Sequence, residues 1–166
     1  MKKRILFVDD EPMVLEGLRR TLRPMRQEWE MDFAESGANA LERLAAAPYD
    51  VVVSDMIMPG MDGAQLLREI QQRAPNTIRL ILSGSTEQQY AMKCIGVAHQ
   101  YLSKPCDPEM LKTTLARVTS LDFTAQSEAI RRLLPRLETL PSIPALYSEI
   151  VRLLNERAGV VSEIGR

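Results

Sequence analysis

Five polar residues stand where chemistry is possible. Asp9 and Asp10 follow the apolar run Ile5-Leu6-Phe7-Val8. Asp55 follows Val51-Val52-Val53-Ser54, Ser83 follows the run from Ile78 to Leu82, and Lys104 comes two residues after Leu102. Crowded carboxylates repel and raise each other's pKa unless a cation joins them. Oxygen-only donors suit a hard cation, and Mg²⁺ accepts a few carboxylates together with water and phosphate. A carboxylate beside such an ion can accept a phosphoryl group. A lysine and a hydroxyl opposite it would then hold the extra phosphoryl oxygens. On residue chemistry alone the set points to an aspartyl-phosphate site.

That reading requires elements that bring the five together. Ile5–Val8 is too short and too apolar for anything but a buried strand. Pro12 suits a first helical turn, and Val14, Leu15, Leu18 and Leu22 keep helical spacing up to Pro24. Trp29, Met31 and Phe33 alternate on one face of a second strand. Ser36 caps a second helix striped by Ala40, Leu41 and Leu44, which ends before Pro48. Val51–Ser54 reads as a third strand, buried on both faces. Asp62 caps a third helix carrying Leu66, Leu67 and Ile70. Ile78–Leu82 is a fourth strand, a weaker helix covers Thr86 to Cys94, His99–Leu102 is a fifth strand, and Asp107 opens a fifth helix to about Ser120. Such alternation predicts an α/β fold, a doubly wound five-stranded parallel sheet with helices on both faces. Ligand sites in such folds lie beyond the carboxyl ends of the strands, where all five residues fall.

Composition bounds the alternatives. The chain has 166 residues, 45% hydrophobic and 26% charged, with 21 Lys+Arg against 22 Asp+Glu. No basic excess marks a nucleic-acid module. One His and two Cys exclude a zinc site built from those ligands alone, which needs four. No apolar run approaches a membrane span, and the four apolar residues after Arg4 are too few for a signal peptide. A cytoplasmic protein without membrane partners is the expectation.

Taken together, Val8-Asp9-Asp10-Glu11, Asp55 followed by Met58-Pro59-Gly60-Met61-Asp62-Gly63, Ser83-Gly84 and Lys104-Pro105 resemble the receiver domain of two-component response regulators. The resemblance covers about residues 3–121. It implies a flavodoxin-like fold and a Mg²⁺-dependent phosphoacceptor at Asp55. Asp10 then matches the direct metal ligand of the acidic pair, Asp9 acts largely through water, and the Ile57 backbone carbonyl completes the metal set. Ser83 takes the family's Ser/Thr position, Lys104 its lysine, and Tyr101 its aromatic switch, whose ring turns inward when Ser83 moves toward the phosphoryl group. Pro105 matches a proline that is usually cis. The implied partners are a sensor histidine kinase and a C-terminal output domain, and the protein is not itself an enzyme acting on other substrates. Ile57 beside the path of an attacking water cannot hydrogen-bond it, which implies slow loss of the phosphoryl group; Ser85 is the other residue placed to meet such a water.

Each motif alone has a plainer explanation. Asp9, Asp10 and Glu11 suit a solvated helix start, Ser83-Gly84 a turn, Lys104-Pro105 a surface loop, and Tyr101 ordinary packing. His99 reads as structural or exposed, Cys94 and Cys106 as idle thiols in a reducing compartment, and Met56, Met58 and Met61 as loop packing. Two other classes compete. A haloacid-dehalogenase-type aspartyl-phosphate phosphatase would want an Asp two residues after the nucleophile, where Ile57 stands. A flavin-binding domain would want a hydroxyl-rich loop after the first strand, where three acids would repel phosphate.

Beyond residue 121 the βα alternation stops. Residues 122–139 read as a helical linker with Ile130, Leu133, Leu134 and Leu137 on one face. Residues 140–166 read as the start of a truncated helical output domain, with Ile143, Leu146, Tyr147, Ile150 and Leu154 on a second stripe. Leu140-Pro141-Ser142-Ile143-Pro144-Ala145-Leu146-Tyr147 resembles the opening of an HDOD domain, and an HD-GYP output, a cyclic-di-GMP phosphodiesterase type, is the alternative. Two short helices cannot cover each other's apolar faces. A homodimer through this tail is therefore expected, with the receiver's fourth and fifth helices as a further surface.

Overall fold

The computed structural model describes residues 1–84, 90 and 92–120. The chain divides into two units, Met1–Glu128 and Ala129–Arg166, and all of the described residues belong to the first. The linker, output-domain and tail-pairing expectations all fall outside the described residues.

Five strands, β1 (Lys3–Val8), β2 (Trp29–Ala34), β3 (Val51–Asp55), β4 (Ile78–Ser83) and β5 (Gln100–Ser103), form one sheet in the order β2-β1-β3-β4-β5. Every pairing is parallel. Four α-helices are described: α1 (Pro12–Thr21), α2 (Gly37–Ala46), α3 (Gly63–Arg73) and α4 (Pro108–Thr119). The doubly wound arrangement follows from side-chain alternation along the strands. Ile5, Phe7, Val51, Val53, Leu80, Leu82 and Leu102 face one core with Leu15 of α1 and Leu111, Leu115 and Val118 of α4. Leu6, Val8, Val52 and Ile81 face the other, with Ala40 of α2 and Leu66, Leu67 and Ile70 of α3. Trp29, Met31 and Phe33 belong to the first core, as their alternation implies.

Helix ends follow the expected chemistry. The Ser36 hydroxyl accepts the Asn39 N–H at 3.1 Å, and the Asp107 carboxylate accepts the Met110 N–H at 2.9 Å. Asp62 caps α3, and Gln65 answers it by accepting the Asp62 N–H at 3.0 Å, closing a capping box. Two features depart from the sequence reading. After α1 the chain continues as a 3₁₀ helix, Arg23–Gln27, because Pro24 is tolerated in the first turn of a new helix. The helix expected over Thr86–Cys94 lies mostly outside the described residues, and its end, Met92–Cys94, is a 3₁₀ turn.

Arg79 is the least expected core residue. It is fully buried on β4. Its Nε donates to the Val97 carbonyl at 2.7 Å and its Nη1 to the Thr77 carbonyl at 2.9 Å. The Arg79 N–H donates to His99 Nδ1 at 2.9 Å while the His99 N–H returns to the Arg79 carbonyl at 2.7 Å. His99 is structural, tying the start of β5 to β4.

Candidate functional site

The site is assembled at the carboxyl end of the sheet. Asp9 directly follows β1, Asp55 is the last residue of β3, Ser83 the last of β4, and Lys104 directly follows β5. Parallel strands in register end together, so residues 95 apart in sequence meet. Lys104 Nζ lies 2.9 Å from Asp9 Oδ2 and 3.0 Å from Asp55 Oδ1. Asp9 and Asp55 are buried, and Asp10 is partly so. The three carboxylates offer oxygens within 4.8 Å of one another. The Lys104–Pro105 peptide is cis.

Backbone groups fix the two buried acids. The Glu11 N–H donates to Asp9 Oδ1 at 2.9 Å, and the Met56 N–H donates to Asp55 Oδ1 at 2.9 Å. Burial raises the Asp55 pKa, the Lys104 ammonium opposes that rise, and the Asp9 charge adds to it. Burial alone would depress Lys104, but the carboxylates of Asp9 and Asp55 outweigh it and hold the ammonium above its ordinary range. The lysine is thus charged, and it partly offsets acids that lack water. An all-oxygen donor set with more carboxylates than lysines to balance them fits a hard divalent cation.

Of the other residues singled out, Ser83 is buried and its hydroxyl donates to the Gly84 carbonyl at 3.2 Å. Tyr101 packs against the core that holds Met56 and Cys94, with its hydroxyl oxygen shielded from solvent. Ile57, two residues beyond Asp55, is 46% exposed. Ser85 lies outside the described residues.

Sequence reasoning placed Gly63 in the motif after Asp55 but gave it no role. A Cβ there would fall on the Asp55 carbonyl oxygen and within 3.0 Å of Met56 Cα. The Gly63 N–H donates to the Met56 carbonyl at 2.8 Å. The start of α3 is therefore seated directly on the backbone of the central acid. Its place in that motif, directly after the Asp62 cap, is the sequence signal, but its spatial neighbour cannot be read from spacing.

Comparison with known proteins identifies the family. The family model of the response regulator receiver domain matches residues 5–116, and the chain belongs to that family. YesN of Bacillus subtilis, an uncharacterized transcriptional regulatory protein, is 32% identical over 123 residues, 69% of this chain and 32% of that protein. An uncharacterized response regulatory protein of Vibrio vulnificus is 32% identical over 157 residues, 91% of this chain and 62% of that protein. The chain thus spans less than two thirds of these relatives' lengths. Among solved structures, the signal receiver domain of an HD domain-containing protein from Pseudomonas fluorescens superposes with a TM-score of 0.68 at 30% identity, covering 78% of this chain and 99% of that one. The chemotaxis protein CheY4 of Vibrio cholerae gives 0.64 at 30% identity, covering 71% and 99%. The flavodoxin-like receiver fold is thereby established. Among the described residues no helix is long and apolar enough to cross a membrane.

Proposed function

We propose that this chain is the receiver part of a two-component response regulator and takes a phosphoryl group onto Asp55 from a sensor histidine kinase or a small acyl phosphate. The observation that carries the reading is the Lys104 ammonium bridging Asp9 and Asp55 inside a three-carboxylate cluster. A carboxylate oxygen of Asp55 attacks phosphorus. The P–N bond of the phosphohistidine breaks, and the departing imidazole takes up a proton; with an acyl phosphate, the P–O bond breaks and a carboxylate leaves. Mg²⁺ would be held by Asp9, Asp10, Asp55 and the Ile57 carbonyl, and would offset negative charge on the acids and on the phosphoryl oxygens.

The protein's own groups do the rest. Lys104 holds Asp55 in place before transfer and afterwards turns to a phosphoryl oxygen. The Ser83 hydroxyl meets another, and Tyr101 fills the space that Ser83 leaves. We assign the tail to an HDOD output domain on the segment Leu140–Tyr147. The origin of the Pseudomonas fluorescens neighbour in an HD domain-containing protein supports an output of that broad type.

Intact mass after treatment with acetyl phosphate and Mg²⁺ tests the site. Wild type should gain one phosphoryl mass, and chelation of Mg²⁺ should abolish the gain. Asp55→Asn should gain none; a phosphoryl mass on that variant would overturn the assignment.

A further inference from the structure

Away from the acidic cluster, α1, the 3₁₀ helix Arg23–Gln27 and the edge strand β2 form a shallow cleft lined by Arg19, Arg26, Met31 and Phe33. The Phe33 ring stacks on Phe7 with centroids 5.4 Å apart. The Arg19 guanidinium lies over the same ring at 4.5 Å, and its only acid is Glu16, at 3.8 Å with both side chains half exposed. The Arg26 side chain makes no hydrogen bond or ion pair among the described residues. Residues 17–27 carry four arginines and no acid. The negative end of the α1 dipole accounts for Arg19 and Arg20, in its last turn. Covering Met31 and Phe33 would need only aliphatic stems. Neither effect explains two guanidinium groups on one cleft.

We propose that this cleft is a docking surface for an acidic segment of a partner protein. A Glu or Asp carboxylate sits between the guanidinium groups of Arg19 and Arg26, and an apolar neighbour lies on Met31. The planar forks of arginine match a carboxylate, and the Phe33 ring holds one of them in place beforehand. Arginine, methionine and phenylalanine are also the residue types that protein interfaces favour. A cleft of about 90 Å³ takes a side chain, whereas sites for nucleotides and similar ligands run to about 300 Å³ and more. With one neighbour stacked on it and another over it, Phe33 offers little face to a nucleobase. Exposed Glu16, Glu28 and Glu30 flank the arginines in the chain and interrupt a basic track for nucleic acid. The surface shares no residue with Asp9, Asp10 and Asp55, so it goes beyond the phosphoacceptor reading and does not depend on it.

The test uses the full chain and a fluorescein-labelled peptide in which glutamates alternate with leucines, with the Gln-for-Glu peptide as its control. Anisotropy should show saturable binding of the Glu peptide. Arg19→Gln or Arg26→Gln should weaken it several-fold, the scale of an exposed ion pair, and added salt should weaken it too. In the double variant the Glu and Gln peptides should bind alike. Loss of mere packing would instead weaken both peptides and leave their ratio unchanged. Arg19→Lys and Arg26→Lys keep the charge without the fork; they should fall between, and they carry the comparison should a Gln variant not fold. Arg73→Gln, exposed on α3, and Asp55→Asn should bind as wild type does. The proposal is overturned by no saturable binding, by equal weakening in Arg73→Gln, or by a Glu-to-Gln ratio that survives in the double variant. It also fails if labelled single-stranded DNA binds through these arginines more tightly than the Glu peptide, which would make nucleic acid the partner.

Discussion

At the scale of single residues, the acidic cluster sets function against stability. Asp55 is buried and its pKa is raised, chiefly by loss of water. A group whose folded-state pKa lies above its unfolded value stabilises the fold below the unfolded pKa and ceases to do so as pH rises through the folded one. For Asp55 the penalty sets in above the ordinary carboxylate range of about 4 and is fully present once the buried acid has ionised. In the absence of divalent cations, Asp55→Asn should therefore melt higher than wild type at neutral pH, by roughly a few degrees for a domain of this size. The gap should narrow toward about pH 4, and it should shrink when Mg²⁺ is added. Equal melting temperatures across that range would show that Lys104 already cancels the burial cost. On the proposed function, Ile57 bears on the loss of the phosphoryl group. Its exposed side chain cannot hydrogen-bond a water approaching phosphorus. Ile57→Asn should hasten loss of the phosphoryl group by about tenfold, the scale of one modest hydrogen bond in a transition state; an unchanged or slower decay, followed by intact mass, would exclude that role.

At the scale of elements, the strands were legible because their apolar runs are short, bounded and followed by the very residues that form the site. The caps at Ser36, Asp62 and Asp107 were legible for the same local reason. What escaped depends on partners distant in sequence. Arg79 looks like a polar interruption in the run Ile78–Leu82, yet it is fully buried because the Val97 carbonyl, 18 residues on, accepts its Nε–H. The fit of Gly63 against Asp55 is equally nonlocal, and it yields a prediction. Gly63→Ala puts a methyl group on rigid backbone rather than on a flexible side chain, so α3 must back away from β3. Overpacking of this kind costs about 1–3 kcal/mol. Phosphorylation should fall further than stability alone explains, because the retreat also shifts the Met56 N–H that binds Asp55. Chemical denaturation measured beside the acetyl phosphate rate separates the two. A destabilised variant that is phosphorylated at the wild-type rate would show that α3 and the site move independently. By contrast, the nearest atoms to a Cβ at Gly37 belong to the Met61 side chain rather than to backbone, so Gly37→Ala serves as the milder comparison.

At the scale of the whole molecule, the sheet and both its cores, among the described residues, lie within Lys3–Thr119. The acidic cluster and Lys104 all precede residue 121. The tail's two apolar stripes, Ile130 to Leu137 and Ile143 to Leu154, keep helical spacing and ask for an apolar cover. Its charges do not offer an alternative: residues 122–166 carry 6 basic and 6 acidic side chains, so no strong field draws an ionic partner. Besides the proposed output domain, a second copy of the same stripes in a two-fold pairing is a cover that can be tested. Light scattering should accordingly give a dimer mass for the full chain, while a chain ending at residue 121 should be a weaker dimer or a monomer. The shortened chain should still accept a phosphoryl group on Asp55, since the cluster and Lys104 are intact. A monomer at every concentration for the full chain would refute the pairing. Loss of phosphorylation on shortening would instead mean that the tail supports the receiver fold directly.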